Sequence, residues 1–286
     1  MPHCRGDFLP LRLMYITNRA EIARIAEKNG VDRIFVDMEY IGKAERQRGM
    51  DSVKSKHTIE DVKTVRGAVS RAQVLVRVNP VHESQADGYP CSEVEIDSAI
   101  AAGADVIMLP YYKSMEEVER FLSAVNGRVK TVLLLETAEA TQLVDEVARL
   151  DGVDEIHIGL NDLSIAYHKT FLFELLSDGT VERLCRHISQ TQKPYGFGGL
   201  ASLGRGLVPA EMILKEHYRL GSTGAILSRS FCNLHDFHDL KAIDEVFYRG
   251  IREIRKLEQE CEVHRRFFSD NKENLRSAIQ QVLQEK

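Results

Sequence analysis

Eight short apolar runs recur along this chain, and between them the hydrophobic residues change from continuous to helical spacing. The runs are LRLMYIT (11 to 17), RIFVDME (33 to 39), VLVRVNP (74 to 80), DVIMLPY (105 to 111), TVLLLET (131 to 137), EIHIGL (155 to 160), PYGFGGL (194 to 200) and GAILSRSF (224 to 231). The stretches between them include AEIARIAEKNG, TIEDVKTVRGAV, SEVEIDSAIAAG, SMEEVERFLSAV and AEMILKEHYRLG, all of them amphipathic at a helical period. Ser92 and Ser114, each with an acid soon after, read as helix starts; Gly30, Gly103 and Gly221 read as helix ends in the left-handed conformation. Strands that are apolar throughout, rather than on alternate residues, belong in a parallel sheet covered on both faces. Eight such units predict an α/β fold, a single closed (β/α)₈ TIM barrel over residues 1–231. No GxGxxG follows the first run, so an open dinucleotide-binding sheet lacks its signature.

Residues 232–286 predict a C-terminal helical extension. It holds a long helical pattern, HDLKAIDEVFYRGIREIRKLEQE, a polar break at Ser269, Asp270 and Asn271, and a final short helix. Such a tail exceeds what a barrel needs to cover itself. Its expected use is packing on a neighbouring subunit, which makes the protein a homo-oligomer.

Charge narrows the function. A net charge of −5 with no basic stripe excludes a nucleic-acid surface, and the Arg-rich segment 249–266 is interleaved with Glu and Gln like a solvated helix face. Five scattered cysteines show neither CxxC nor Cys/His spacing, so neither zinc nor a disulfide framework is expected. The opening MPHCRGDFLP lacks the apolar core of a signal peptide, and no run approaches the ~18 apolar residues of a membrane helix. A reducing cytoplasm is the expected location.

In a barrel of this kind chemistry sits where the strands end. Here those ends carry Asp37 and Glu39, Arg77 and Asn79, Glu136, and Asn161–Asp162. A carboxylate directly after four apolar residues, as Glu136 is, needs either water or a strong partner. Several oxygen ligands with open positions suit Mg²⁺ or Mn²⁺. The same residues also admit a plainer use: Asp162 and Thr137 as helix caps, and Arg77 as the partner of a neighbouring acid. Spacing alone leaves both open.

The pair LLLETAEA and GVDEIHIGLNDLS resembles the signature of the HpcH/HpaI aldolase and citrate lyase β-subunit superfamily, in its "ET" glutamate and "NDL" aspartate. VDME, VRVN and AGADVIMLP extend the resemblance over residues 30 to 231. It implies a (β/α)₈ barrel whose last helix often swaps between subunits. It also implies Glu136 and Asp162 as metal ligands, Arg77 on the substrate keto oxygen, and Glu39 near the metal through water. Backbone amides around Gly159, Leu160 and Asn161 would hold the substrate carboxylate. The activity implied is a divalent-metal-dependent class II aldolase or carbon–carbon lyase, generating the enolate of a 2-keto acid such as pyruvate. A citrate lyase or malyl-CoA lyase-like thioester lyase, a keto-acid decarboxylase, and a non-catalytic barrel that keeps the metal site are the alternatives.

The chain departs from this family in places. Family aldolases carry a His after the strand-two acid; here Tyr40 stands there, a poor base near neutral pH. His57, on a loop with Lys54 and Lys56, is a candidate replacement, or else an exposed loop residue. The loop GFGGLASLGRGLVPAE, with Gly198, Gly199, Gly204, Gly206, Ser202 and Arg205, reads equally as a phosphate cradle and as a tight turn before Pro209. The cluster His235, Asp236, His238 and Asp239 offers a second metal site or a helix start.

Overall fold

The computed structural model describes residues 9–46, 55–86, 88–234, 239–263 and 267–285. Each of the eight apolar runs coincides with a strand, β3 and β5 beginning one residue before theirs: β1 (Arg12–Ile16), β2 (Arg33–Asp37), β3 (Gln73–Arg77), β4 (Val106–Leu109), β5 (Lys130–Leu135), β6 (Glu155–Ile158), β7 (Tyr195–Leu200) and β8 (Gly224–Leu227). Each pairs in parallel with the next, and β1 pairs with β8, so the sheet closes into the expected barrel. Alternate residues explain why the runs are apolar throughout. Met14, Phe35, Leu75, Met108, Val132 and Leu134 pack on one another inside the barrel. Their neighbours, such as Ile34, Val36, Val74, Val76 and Leu133, pack in the separate layer under the helices.

Helix boundaries follow local chemistry. Ser114 caps the helix Met115–Val125, its hydroxyl accepting from the Glu117 amide at 3.4 Å. Gly30 follows the helix Ala20–Lys28 at φ +98°, a conformation that a side chain would resist. Ser92 marks a helix start, as expected, but not as its cap. It is the first residue of the helix Ser92–Ala101, and its hydroxyl instead accepts from the His82 amide at 2.9 Å.

The floor of the barrel holds a buried ion pair. Arg33, with no solvent exposure, donates from both terminal nitrogens to Glu155 at 2.7 and 2.6 Å and from Nε to Gln73 at 2.9 Å. Arg12 adds a contact to Glu155 at 2.7 Å.

Beyond β8 the helices Leu240–Val263 and Phe267–Gln284 lie on the chain's own barrel. The Glu258 carboxylate accepts from the Leu11 amide at 3.0 Å, and Phe247 meets Tyr15 edge to face at 4.9 Å. The break expected at Ser269, Asp270 and Asn271 is absent; all three lie in the first turns of the last helix. Asp270 there suits the helix dipole, and buried Asn271 donates to the Met212 carbonyl at 3.0 Å. No helix among the described residues is long and apolar enough to cross a membrane.

Candidate active site

The C-terminal ends of β2, β3, β5 and β6 bring four buried carboxylates and three cations to one rim. Arg77, the last residue of β3, donates Nε and Nη2 to the two oxygens of Asp37, both at 2.8 Å. Asp37, the last residue of β2, also takes Lys43 Nζ at 2.8 Å. Glu39 lies two residues further on, unexposed, with Lys43 Nζ and Arg77 Nη1 at 3.3 and 3.4 Å from its Oε2. Arg46 pairs with the other Glu39 oxygen and sits 3.8 Å from Asp162 Oδ1. Glu136, one residue past β5, accepts from the Tyr111 amide at 3.1 Å.

These acids are not equivalent. Burial alone would raise the Asp37 carboxyl, but Arg77 and Lys43 outweigh it and hold the group far below the usual range. Glu136 goes the other way: burial first, then the charges of Glu39 and Asp162, raise it well above its ordinary value despite Arg77 and Arg46. Asp37 is therefore the fixed counter-ion of Arg77, whereas Glu136 is, among the described residues, an acid short of positive charge. Of the plainer readings, Arg77 does pair with a neighbouring acid. Helix capping falls to Thr137, whose hydroxyl accepts from the Ala140 amide at 3.0 Å, and not to Glu136. Asp162 sits inside the first turn of the helix Leu160–Ala166, after Gly159 at its cap.

Among the described residues no three His, Cys, Asp or Glu side chains form a ready ligand group. The donor chemistry nevertheless fits a hard divalent ion. The charges of Glu136 and Asp162 act on one another, and the buried Oε2 of Glu39 accepts no hydrogen bond among the described residues. Mg²⁺ asks for little more than two carboxylates, taking water and substrate for the rest.

Close approach makes Gly159 necessary. A Cβ there would lie 2.7 Å from Glu136 Oε2 and 2.9 Å from its Cβ. Gly159→Ala is thus expected to turn Glu136 aside, costing at least about tenfold in activity while lowering stability by only about 1–2 kcal/mol. Turnover and urea unfolding of the same preparation would check the split.

Other expected residues find more specific places. The Gly159 amide donates to the Leu135 carbonyl at 2.9 Å and is already used. Leu160 and Asn161 open the next helix, where the first amides have no partner within the helix itself. Tyr40 is half-exposed, its amide donating to Asn79 Oδ1 at 2.9 Å and its ring edge-on to Tyr89. His57 is not a bare loop residue. Its Nδ1 accepts from the Asp37 amide at 3.0 Å, so the proton of the neutral ring is on Nε2, and burial lowers its pKa. In the glycine-rich loop, Ser202 donates to the Phe231 carbonyl at 2.7 Å and the Gly204 amide to Glu211 at 2.6 Å, which commits these groups to the turn. Lys54, His235, Asp236 and His238 lie outside the described residues. Lys43, Arg46 and Tyr111 belong to the rim without having been singled out; the only signal was two cations in KAER soon after an acidic strand end.

The sequence model of the HpcH/HpaI aldolase/citrate lyase family matches residues 12–171. Among solved structures, an HpcH/HpaI aldolase/citrate lyase family protein from Burkholderia cenocepacia J2315 superposes with a TM-score of 0.61 at 15% identity, over 85% of this chain and 96% of that one. An HpcH/HpaI aldolase from Desulfitobacterium hafniense DCB-2 gives 0.56 at 16% identity, over 86% and 93%. The citrate lyase beta subunit from M. tuberculosis, complexed with oxaloacetate and magnesium, gives 0.52 at 16% identity, over 83% and 97%. At such identities these likenesses establish the barrel and nothing finer. No curated protein matches the chain by sequence. The family match, which runs from β1 past β6 and takes in all four rim carboxylates, is what identifies the chain: it belongs to the HpcH/HpaI aldolase/citrate lyase family.

Proposed function

We propose that the protein is a divalent-metal-dependent class II aldolase or carbon–carbon lyase that forms the enolate of a 2-keto acid. The observation that carries this reading is Glu136: a buried acid whose pKa is raised by its acidic neighbours, beside Asp162 and facing a fixed arginine. When bound on Glu136 and Asp162, Mg²⁺ or Mn²⁺ supplies Lewis acidity that lowers the cost of enolate charge. A relative in the M. tuberculosis citrate lyase beta subunit holds oxaloacetate and magnesium, the same pairing of keto acid and metal.

The chain's own residues do the rest. Arg77, pinned by Asp37, keeps Nη1 available on the Glu39 side, so its charge is in place before the keto oxygen becomes negative. Amides of Leu160 and Asn161 hold the substrate carboxylate. Glu39 Oε2 orients a water. Asn79 accepts from the Tyr40 and Ile41 amides at 2.9 Å each and donates to Glu95, fixing residues 40 and 41 just beyond β2. His57 is tied to the Asp37 backbone.

The test is exchange of the pyruvate methyl protons in D₂O, followed by NMR with Mg²⁺, with Mn²⁺ and with EDTA. Metal-dependent exchange is expected. No exchange with either metal would end the pyruvate reading. Tyr40, in the place of the family histidine, favours one second reading: decarboxylation of oxaloacetate, which yields the enolate without a base and would appear as metal-dependent pyruvate release.

A further inference from the structure

Arg46 takes no part in the reading above, yet its guanidinium stands among the carboxylates that reading assigns to the metal. It pairs with Glu39, lies 3.8 Å from Asp162 through Nε, and is one of the two cations opposing the raised pKa of Glu136. Its Nε is buried and donates no hydrogen bond among the described residues. Nε thus stands within ion-pair reach of Asp162 but beyond hydrogen-bond distance. It is also held from behind: Cζ lies 3.9 Å from the ring centroid of Tyr111, and Nη1 donates to the Ile41 carbonyl at 3.2 Å. Tyr111 ties the two halves together, because its amide donates to Glu136 while its ring carries Arg46. It does so at φ +50°, a left-handed conformation that costs a non-glycine residue energy and persists where surrounding contacts demand it.

A guanidinium and a divalent cation sharing the same carboxylates repel one another and compete for the same oxygens. We infer that Arg46 is the resident counter-cation of the metal site, neutralising Glu39 and Asp162 in the metal-free protein and giving way at Asp162 when a divalent ion binds. Arg46 therefore sets the metal affinity. The face of Tyr111 gives the guanidinium a place to stay once it has left Asp162. This inference rests on the assignment of Glu136 and Asp162 as ligands.

Calorimetric titration of the metal-free protein with Mn²⁺ tests it. Arg46→Gln is expected to bind Mn²⁺ at least about tenfold more tightly than the parent. Arg46→Lys keeps the charge but not the planar fork that spans Glu39 and Asp162, and should fall between the two. Unchanged or weaker binding by Arg46→Gln overturns the inference. So does an Arg46→Lys protein that binds like the parent, since net charge rather than occupancy would then be at work. Should Arg46→Gln fail to fold, Arg46→Lys decides alone: tighter binding supports the inference, and parental binding overturns it. Glu136→Gln separates this failure from that of the ligand assignment. If the parent binds Mn²⁺ no better than Glu136→Gln, the ligand assignment itself falls and the inference falls with it.

Discussion

Glu136→Gln is expected to lose metal-dependent methyl exchange by on the order of 10²–10³-fold, yet to give a metal-free barrel at least as stable as its parent. The two halves share one cause. The Glu136 carboxylate is desolvated and faces the charges of Glu39 and Asp162, so the ionised form is the strained one when no added cation is present. Glutamine keeps the shape and can still accept from the Tyr111 amide, but adds no charge. The pH dependence follows in sign. Both folded and unfolded chains bind the Glu136 proton below the ordinary value of 4.5, and there its neutral form stabilises the fold fully. As pH rises through the raised folded value, the unfolded chain has already released its proton and that stability is lost. Urea unfolding in EDTA at pH 5 and pH 8 should therefore show the parent losing ground to Glu136→Gln at the higher pH. A variant distinctly less stable than its parent at pH 8 would mean that protein groups already satisfy the ionised carboxylate. Glu136 would then be a structural acid. Loss of function without loss of stability is the pattern of a residue kept for chemistry against the interests of the fold.

What could be read from the sequence is what local pattern encodes. Glu136 and Asp37 stand out because each ends a run of residues that must be buried, so an ionisable group there demands an explanation. The barrel itself follows from eight such runs, since doubly covered parallel strands lose the alternation that a one-sided sheet keeps. Lys43 and Arg46 escaped for the opposite reason. They occupy the single-turn helix Lys43–Arg46, too short for a periodic face, and KAER reads like any solvated helix. Lys43 is only 5% exposed because Asp37 and Glu39 claim its ammonium, a fact of folding back rather than of composition. Asn271 was misread as part of a break because polar residues near helix ends usually serve there, and the role of the Ser92 hydroxyl, at a helix start that was read correctly, was equally hidden. Their partners, Met212 and His82, are fixed by tertiary packing. His57 shows the same limit, since its place depends on a backbone pairing with Asp37 across 20 residues.

Arg33 is the extreme case, and it sets the largest expected effect on stability. It starts β2, and its partner Glu155 starts β6, 122 residues away. Glu155→Gln is expected to destabilise the barrel by about 3–5 kcal/mol, because the fully buried guanidinium would lose its charge partner and cannot reach water. Burial pushes the Glu155 carboxyl up, but the Arg33 and Arg12 contacts outweigh it and hold it below its ordinary value, so the pair is ionised at neutral pH. Gln73 remains on Nε, yet one amide oxygen does not replace a bidentate carboxylate. Removing both charges, as in Arg33→Met with Glu155→Leu, should recover much of the loss, since a buried ion pair often gains little over apolar residues of similar size. Urea unfolding of the two proteins at neutral pH separates the possibilities. A single variant within about 1 kcal/mol of its parent would mean that Arg33 finds water or another acid at the floor, and the buried pair would not be what holds β2 against β6 across the barrel. The rim and the floor then differ in kind: among the described residues the floor gives Arg33 a bidentate acid, while the rim leaves Glu136 short of a cation, which is where a ligand has something to add.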